Sequence, residues 1–361
     1  MPTYIEISEA NLRNIAIFPD EPDDTLIDEI KGHVRLTASP HTWRGHSHTK
    51  PPQGAFPVYV DEFDVPAPDT VPRVAPCPCC NPNHPQYKNK GKIAWFPNEW
   101  VIRLIGPQCF KTINGAGHEL ALIDLRKRQK RRDELATIAH HRHALHPSID
   151  ALSEAIAIAE ALDDFQREIN RVLDSELHLN LWREVKGGDL NTTETRRVPF
   201  RKADGTMGER SEEFRVPFGR IAGYSMIDRS GQMSAGKLGP LRAGLIKIAE
   251  RLDEAGTAES LTDAERESIA ASLVKGRTAA AEVLAGMQDR QLFLTSRAIE
   301  ELGRWGQHPN APVRFSITRR KTGEVVLSGI RRTWGAPAIH TVYVGYDATK
   351  PVPGLPALMR H

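Results

Sequence analysis

Long apolar runs are missing from this sequence of 361 residues. No stretch approaches the ~18 consecutive apolar residues that a membrane-spanning helix requires, which predicts that the chain has no membrane partner. The N-terminal segment also lacks the basic start and the apolar core of a signal peptide. From these two absences we expect a cytoplasmic protein.

Sequence signatures of common enzyme classes are absent as well. The chain contains no GxSxG, HExxH or GxGxxG motif and no protein-kinase signature. Residues 231–238 approach a P-loop, but Leu238 stands where the hydroxyl that binds magnesium would be, and Gly239-Pro240 disrupts the helix start. The sequence therefore gives no support for catalysis. An enzyme whose site is assembled from scattered residues is kept as a third hypothesis.

Length and patterning predict an α+β fold with several domains. A chain of this length suits two or three domains. Its 40% apolar and 26% charged residues are sufficient for a buried core and a solvated surface. The predicted regions are an acidic N-terminal region at residues 1–70, a zinc-binding knuckle and hairpin module at 71–118, an antiparallel helical hairpin at 119–180, and an α+β domain of β-hairpins and helices at 181–361.

The helical hairpin follows from two periodic segments separated by a proline. A helix is predicted from about residue 117 to residue 144, and His146-Pro147 is expected to end it. Pro147 also suits the first turn of a second helix, so a tight turn and an antiparallel pair are predicted. The second helix carries a coiled-coil-like seam within residues 149–173. Its members are Ile149, Leu152, Ile156, Ala159, Leu162, Phe165, Ile169, Val172 and Leu173.

Further helices and strands are predicted in the C-terminal region. The related segments Arg197-Val-Pro-Phe and Arg215-Val-Pro-Phe flank an Asp204-Gly205 turn and predict a long β-hairpin. Helices are expected at about residues 241–255, 262–285 and 296–305, the second opened by a capping box of Thr262 and Glu265. β-Structure is predicted again at about residues 313–318, 324–330 and 339–344.

Cysteine is rare and clustered. Of the four cysteines, Cys77, Cys79 and Cys80 lie within four residues, and Cys109 stands alone. A disulfide framework would spread its cysteines to close loops, so this cluster is more typical of metal ligands. The CxxC pair of Cys77 and Cys80 can grip one ion across a tight knuckle. His118 follows Cys109 at the start of the first predicted helix and is a candidate fourth ligand.

The order of a knuckle, a β-hairpin (residues 92–105) and further ligands leading into a helix resembles a treble-clef zinc finger. The resemblance covers residues 77–118 and implies a fold element without an activity. We expect one structural zinc ion with four ligands: Cys77, Cys80, Cys109 and His118. Cys79 and His84 are alternative ligands. The alternative to a metal site is that the cysteines are small buried apolar residues.

Charge is distributed in blocks of opposite sign. Residues 1–70 carry 5 basic and 12 acidic residues, a net charge of −7, and residues 71–147 carry 13 basic and 5 acidic residues, a net charge of +8. Cations this dense surround a helix and predict contact with nucleic-acid phosphates. The alternative is that they pair with acidic residues of the second predicted helix and are otherwise solvated. The six predicted contact residues are Arg126, Lys127, Arg128, Lys130, Arg131 and Arg132.

Two weaker patterns have a functional and a structural interpretation. The loop histidines His41, His46 and His48 offer a second metal site, although a solvated loop is the more common case. Cations and aromatics alternate on the predicted C-terminal strands, where they either stack nucleic-acid bases or serve as core and surface residues. The latter set comprises Arg319-Arg-Lys321, Arg331-Arg-Thr-Trp334, Tyr343 and Tyr346.

The leading functional hypothesis is a non-catalytic, zinc-stabilised protein that associates with nucleic acid through the basic helix. The second is a scaffold or assembly subunit that pairs with a protein partner, or with itself, through residues 149–173. The opposite charges of residues 1–70 and 71–147 raise the hypothesis that the acidic region masks the basic helix. Removal of residues 1–70 is therefore predicted to tighten nucleic-acid binding.

Overall fold

A computed structural model of the chain describes residue 7, residue 9 and residues 13–66, 76–80, 89–203, 205–228, 234–329 and 338–358. Several predicted features lie outside these ranges: His84, Asp204, the start of the P-loop-like segment at residues 231–233, and residues 331–334. The described chain combines helices with three small antiparallel sheets, which confirms the α+β class.

The chain forms two compact units, the N-terminal unit Met1–Glu134 and the C-terminal unit Leu135–His361. The boundary between them falls inside a 57-residue helix, Gly115–Arg171. The finer division into four regions stays a prediction. None of the described helices has the length and apolar character that crossing a membrane requires.

A helix and a three-stranded antiparallel sheet form the core of the N-terminal unit. Helix α1 (Asp24–Thr37) starts at an N-cap, Asp23, whose carboxylate accepts the backbone N–H of Leu26. Ile30 of the helix and Ile93 of the sheet are completely buried in one apolar core. The sheet has the order β1-β2-β3, with strands β1 (Val58–Asp64), β2 (Lys90–Phe96) and β3 (Val101–Ile105).

Strand β1 has an irregular register near its start. Tyr59 pairs with Ala94 and Asp61 pairs with Ile93, so Val60 is an extra residue. A bulge of this kind breaks the strict alternation of side chains, and Tyr59, Val60 and Asp61 are all buried. Tyr59 and Asp61 both contact the helix that follows β3.

That helix, α2 (Gly115–Arg171), replaces the predicted helical hairpin. Pro147 lies inside α2 and removes the N–H that would bond to the carbonyl of residue 143. The next turn remains helical, and the Ser148 hydroxyl donates to the carbonyl of Ala144. Leu145 and Ile149, on either side of the proline, are buried in the same apolar cluster. The antiparallel pair was therefore a wrong prediction, because shared burial outweighs the cost of one proline.

The apolar seam at residues 149–173 is buried inside the C-terminal unit. Eight of its nine residues are buried, and Ile156 is partly buried against the same cluster. Residues of later elements, including Leu245 and Phe293, belong to this cluster. The seam is therefore covered by the chain itself and leaves no exposed apolar stripe for a partner at residues 149–173.

The rest of the C-terminal unit follows the predicted pattern more closely. A π-helical turn (Val172–Glu176) and helix α3 (Leu181–Glu184) follow α2. The long β-hairpin is present, and the capping box of Thr262 and Glu265 is confirmed. The remaining elements are β4 (Asp189–Arg201), β5 (Met207–Arg220), α4 (Ala235–Ala255), α5 (Asp263–Phe293), α6 (Ser296–Gln307), and a sheet of β6 (Phe315–Arg319), β7 (Glu324–Gly329) and β8 (Ile339–Tyr343).

Candidate metal centre and basic helix

Three thiols meet beside the β2–β3 hairpin. The Sγ atoms of Cys77, Cys80 and Cys109 all lie within 4.8 Å of one another. Cys77 and Cys80 belong to one tight turn, in which the backbone N–H of Cys80 donates to the carbonyl of Cys77 over 3.0 Å. Cys109 begins a 3₁₀ turn (Cys109–Thr112) that follows β3. The antiparallel β2–β3 hairpin thus brings Cys109 close to Cys77 and Cys80.

The geometry and chemistry of this group fit a metal ion. Tetrahedral zinc with Zn–S bonds of about 2.3 Å holds its sulfur atoms roughly 3.8 Å apart, which is compatible with the spacing of the three thiols. The backbone N–H of Gly106 donates to the Sγ of Cys77 at 3.5 Å, a contact that favours a thiolate. The hydrogen bond with Cys77, burial and, third, repulsion from the charge of Cys77 raise the pKa of the Cys109 thiol. A divalent cation such as zinc would compensate that repulsion, so the three residues could hold one.

The fourth predicted ligand, His118, lies outside this group of three. It is in the first turn of α2, and 2% of its surface is exposed. Its Nδ1 is 2.7 Å from the phenol oxygen of Tyr59, and its Nε2 is buried without a hydrogen-bond partner in the described part of the chain. Burial and the nearby Lys92 lower the pKa of His118, so the imidazole is neutral.

The alternative ligands differ in what the structure says of them. Cys79 is buried but lies outside the group of three, and His84 is not among the described residues. Burial and the neighbouring thiols of Cys79, Cys109 and Cys77 raise the pKa of Tyr59 above its usual range. Tyr59 therefore remains protonated. It belongs to the same buried cluster as Cys77 and Cys79, although no sequence pattern singled it out.

The six predicted phosphate-contacting cations all lie on α2 and divide into two sets. Arg128 and Arg132 are half-buried, and both form ion pairs with acids of the N-terminal region. Arg128 pairs with Glu21 and, at 2.7 Å, with Asp124. The other four cations are exposed, and one of them, Lys130, lies 3.9 Å from Glu134 of the same helix. These four are Arg126, Lys127, Lys130 and Arg131.

Asp61 is the acidic partner of Arg132. Its carboxylate accepts hydrogen bonds from Lys31 at 2.5 Å and from Arg132 at 3.0 Å, and its side chain is 7% exposed. Although burial opposes ionisation, hydrogen bonds from Lys31, from the backbone of Glu62 and from Arg132 lower the pKa of Asp61. Asp61 is therefore charged at neutral pH and ties β1 to both α1 and α2.

The alternative in which the basic segment pairs with acids beyond Pro147 required the antiparallel hairpin that α2 replaces. The counter-charges come instead from Glu21 and Asp61, and from Asp124 of α2 itself. The net charge of −7 over residues 1–70 was the sequence signal for this arrangement.

The loop histidines after α1 lie near one another. The rings of His46 and His48 are 4.5 Å apart, and Nδ1 of His46 accepts the backbone N–H of Leu104. Burial and the neighbouring imidazoles of His48 and His33 lower the pKa of His41 to about 4. Within the described residues, these nitrogen atoms do not gather into a ligand group of three. The contact with Leu104 gives His46 a structural role at the edge of β3.

The C-terminal unit contains a buried ion pair that no sequence pattern indicated. Arg290 of α5 lies 2.7 Å from Asp163 of α2, and their side chains are 5% and 4% exposed. Asp163 also accepts the backbone N–H groups of Ser234 and Ala235 at the start of α4. Arg290 lines a cleft of about 640 Å³. Because both charges are satisfied within the protein, the pair has a structural role.

Comparison of the chain with protein-family models, with curated proteins and with solved structures found no match. The metal centre and the basic segment of α2 are therefore the features from which a function is inferred. Both belong to the N-terminal unit.

Proposed function

We propose that the protein associates non-catalytically with nucleic acid and that the exposed cations of α2 contact the phosphates. The observation that carries this proposal is the exposure of four cations on one helix: Arg126, Lys127, Lys130 and Arg131. At 100° of rotation per residue, these positions fall within an arc of about 140°. The opposite side of the helix carries the buried Ala121 and Leu125. Such a face presents several cations together, as binding to a phosphate backbone requires.

The metal centre completes the proposal by fixing the start of this helix. We propose one structural zinc ion, with Nε2 of His118 as the ligand that joins the three thiolates. Cys109 and His118 lie on either side of the helix start at Gly115. Three thiolates and one imidazole fill a tetrahedral shell, so the ion orders the chain and leaves no position for a reactive water.

This arrangement is what makes the two features one functional module. The order of knuckle, β-hairpin, 3₁₀ turn and helix supports the treble-clef resemblance. A helix that is held at its first turn presents its cations in a defined direction. It therefore loses less conformational freedom when phosphates bind than a loose segment would.

Charge reversal on the exposed face tests the proposal. We expect the variant Arg126→Glu/Lys127→Glu/Lys130→Glu/Arg131→Glu to lose binding to fluorescently labelled DNA and RNA in low-salt anisotropy titrations. The matched control reverses four exposed cations of the β4–β5 hairpin: Arg197, Arg201, Lys202 and Arg215. The control changes the net charge by the same amount and should retain binding.

Circular dichroism and zinc content establish that each variant is folded and loaded. Equal loss of binding in both variants would mean that net charge alone drives association. Wild-type binding by the α2 variant would remove this helix from the interface and the proposal with it.

A further inference from the structure

Tyr59 and His118 form a buried, hydrogen-bonded pair beside the cysteine group. The phenol oxygen lies 2.7 Å from Nδ1 of His118, and the two side chains are 0% and 2% exposed. The rings meet edge to face with centroids 5.6 Å apart. The Nζ of Lys92 lies over the tyrosine ring, 5.7 Å from its centre. The phenol is therefore held in one place by packing.

The position of the proton on the His118 ring decides which group donates in this contact. A neutral imidazole carries one proton, on either Nδ1 or Nε2. With the proton on Nε2, the Tyr59 hydroxyl would donate to Nδ1 and the Nε2–H would be buried without a partner in the described part of the chain. A metal bound at Nε2 excludes that state, because a metal-bound imidazole nitrogen carries no proton. If Nδ1 carries it, Nδ1 donates to the oxygen of Tyr59, and the lone pair of Nε2 is available to a metal. Metal-ligating histidines usually have their second nitrogen held in this way.

We infer that Tyr59 is a positioning residue of the metal centre, which accepts the Nδ1–H of His118 and thereby directs Nε2 to the metal held by Cys77, Cys80 and Cys109. This inference rests on the proposed zinc site and adds a residue to it. The bulge in β1 has a role here, because it places Tyr59 in the core beside α2 while Asp61 also contacts that helix. Strand β1 thus contacts α2 at two points, at the proposed metal ligand His118 and at Arg132.

Zinc affinity and cobalt spectroscopy of the full chain test this role. The Tyr59→Phe variant keeps the ring and removes the hydroxyl. We expect zinc affinity, measured in competition with a chromophoric chelator, to fall by about 10–100-fold. In the Co²⁺-substituted protein, the visible d–d bands should change because the nitrogen ligand is no longer held. The matched control is Tyr343→Phe on β8, an exposed tyrosine that should behave as wild type.

A double variant separates positioning from general stabilisation. If Tyr59 acts through His118, Tyr59→Phe/His118→Ala should bind zinc no more weakly than His118→Ala alone. An additive loss would overturn the inference, as would wild-type affinity and wild-type cobalt bands in Tyr59→Phe. Retention of zinc by Cys77→Ser would instead overturn the proposed metal centre, so the two failures are distinguishable. Circular dichroism of each loaded variant confirms folding.

Discussion

Under the proposed function, three acids would compete with nucleic-acid phosphates for two cations of α2, and the salt dependence of binding would measure that competition. Arg128 is paired with Glu21 and Asp124, and Arg132 is paired with Asp61. Neutralising the three acids in the variant Glu21→Gln/Asp61→Asn/Asp124→Asn should make both arginines available to phosphate. Binding should then tighten at low salt and become more sensitive to salt.

The magnitude follows from the number of cations engaged. Each neutralised phosphate contributes about −0.9 to the slope of log K against log salt, so four cations predict about −3.6 and six predict about −5.4 on duplex DNA. Between about 50 and about 200 mM salt, these slopes correspond to affinity losses of roughly 150-fold and roughly 1,800-fold. The two cases therefore differ by about a factor of ten, which a titration resolves easily.

The assay is fluorescence anisotropy of labelled duplex DNA across a salt series, for the wild type and the variant. The control variant neutralises three acids of the β4–β5 hairpin that pair with arginines there: Glu194, Glu209 and Glu212. Its slope should equal that of the wild type. Equal slopes for the wild type and the Glu21→Gln/Asp61→Asn/Asp124→Asn variant would refute the competition. A wild-type slope of about −5.4 would show that the ion pairs of Arg128 and Arg132 open on binding without a cost in free energy.

Two further predictions concern stability in urea unfolding at constant zinc. Stability should fall in mild acid, because burial and neighbouring imidazoles lower the pKa of His41 to about 4 and burial lowers that of His46 well below its usual range. Below about pH 6.5 the unfolded chain takes up these protons while the folded chain does not. The stability that comes from keeping the two imidazoles neutral is therefore fully present above that pH and is lost as the pH falls toward 4. Constant urea midpoints between these pH values would contradict the prediction. The Arg290→Met variant leaves the buried carboxylate of Asp163 unpaired, with an expected loss of about 3–5 kcal/mol. The Asp163→Asn/Arg290→Met double variant should recover part of that loss, and a near-wild-type single variant would contradict the structural role of the pair.

Local patterns predicted much of the architecture because they report contacts between residues close in sequence. The spacing of Cys77 and Cys80 is sufficient for a knuckle, whatever surrounds it. The alternation across residues 92–105 predicted the β2–β3 hairpin, and Thr262 with Glu265 predicted the start of α5. Pro147 is the counter-example. Its local preference for ending a helix was real, but burial of apolar residues on both sides of it decided the outcome.

The order of the amino acids is sufficient to show which residue types stand close together along the chain: the cysteine cluster, the six cations and the acidic block before them. Three-dimensional packing determined that Arg128 and Arg132 are half-buried against acids of the N-terminal region, while the other four cations of α2 are exposed. It also decided that Tyr59 meets His118 across 59 residues and that Asp163 meets Arg290 across 127. The physical reason is that such contacts depend on how whole helices and strands pack, whereas turns, caps and knuckles depend on backbone hydrogen bonds within a few residues.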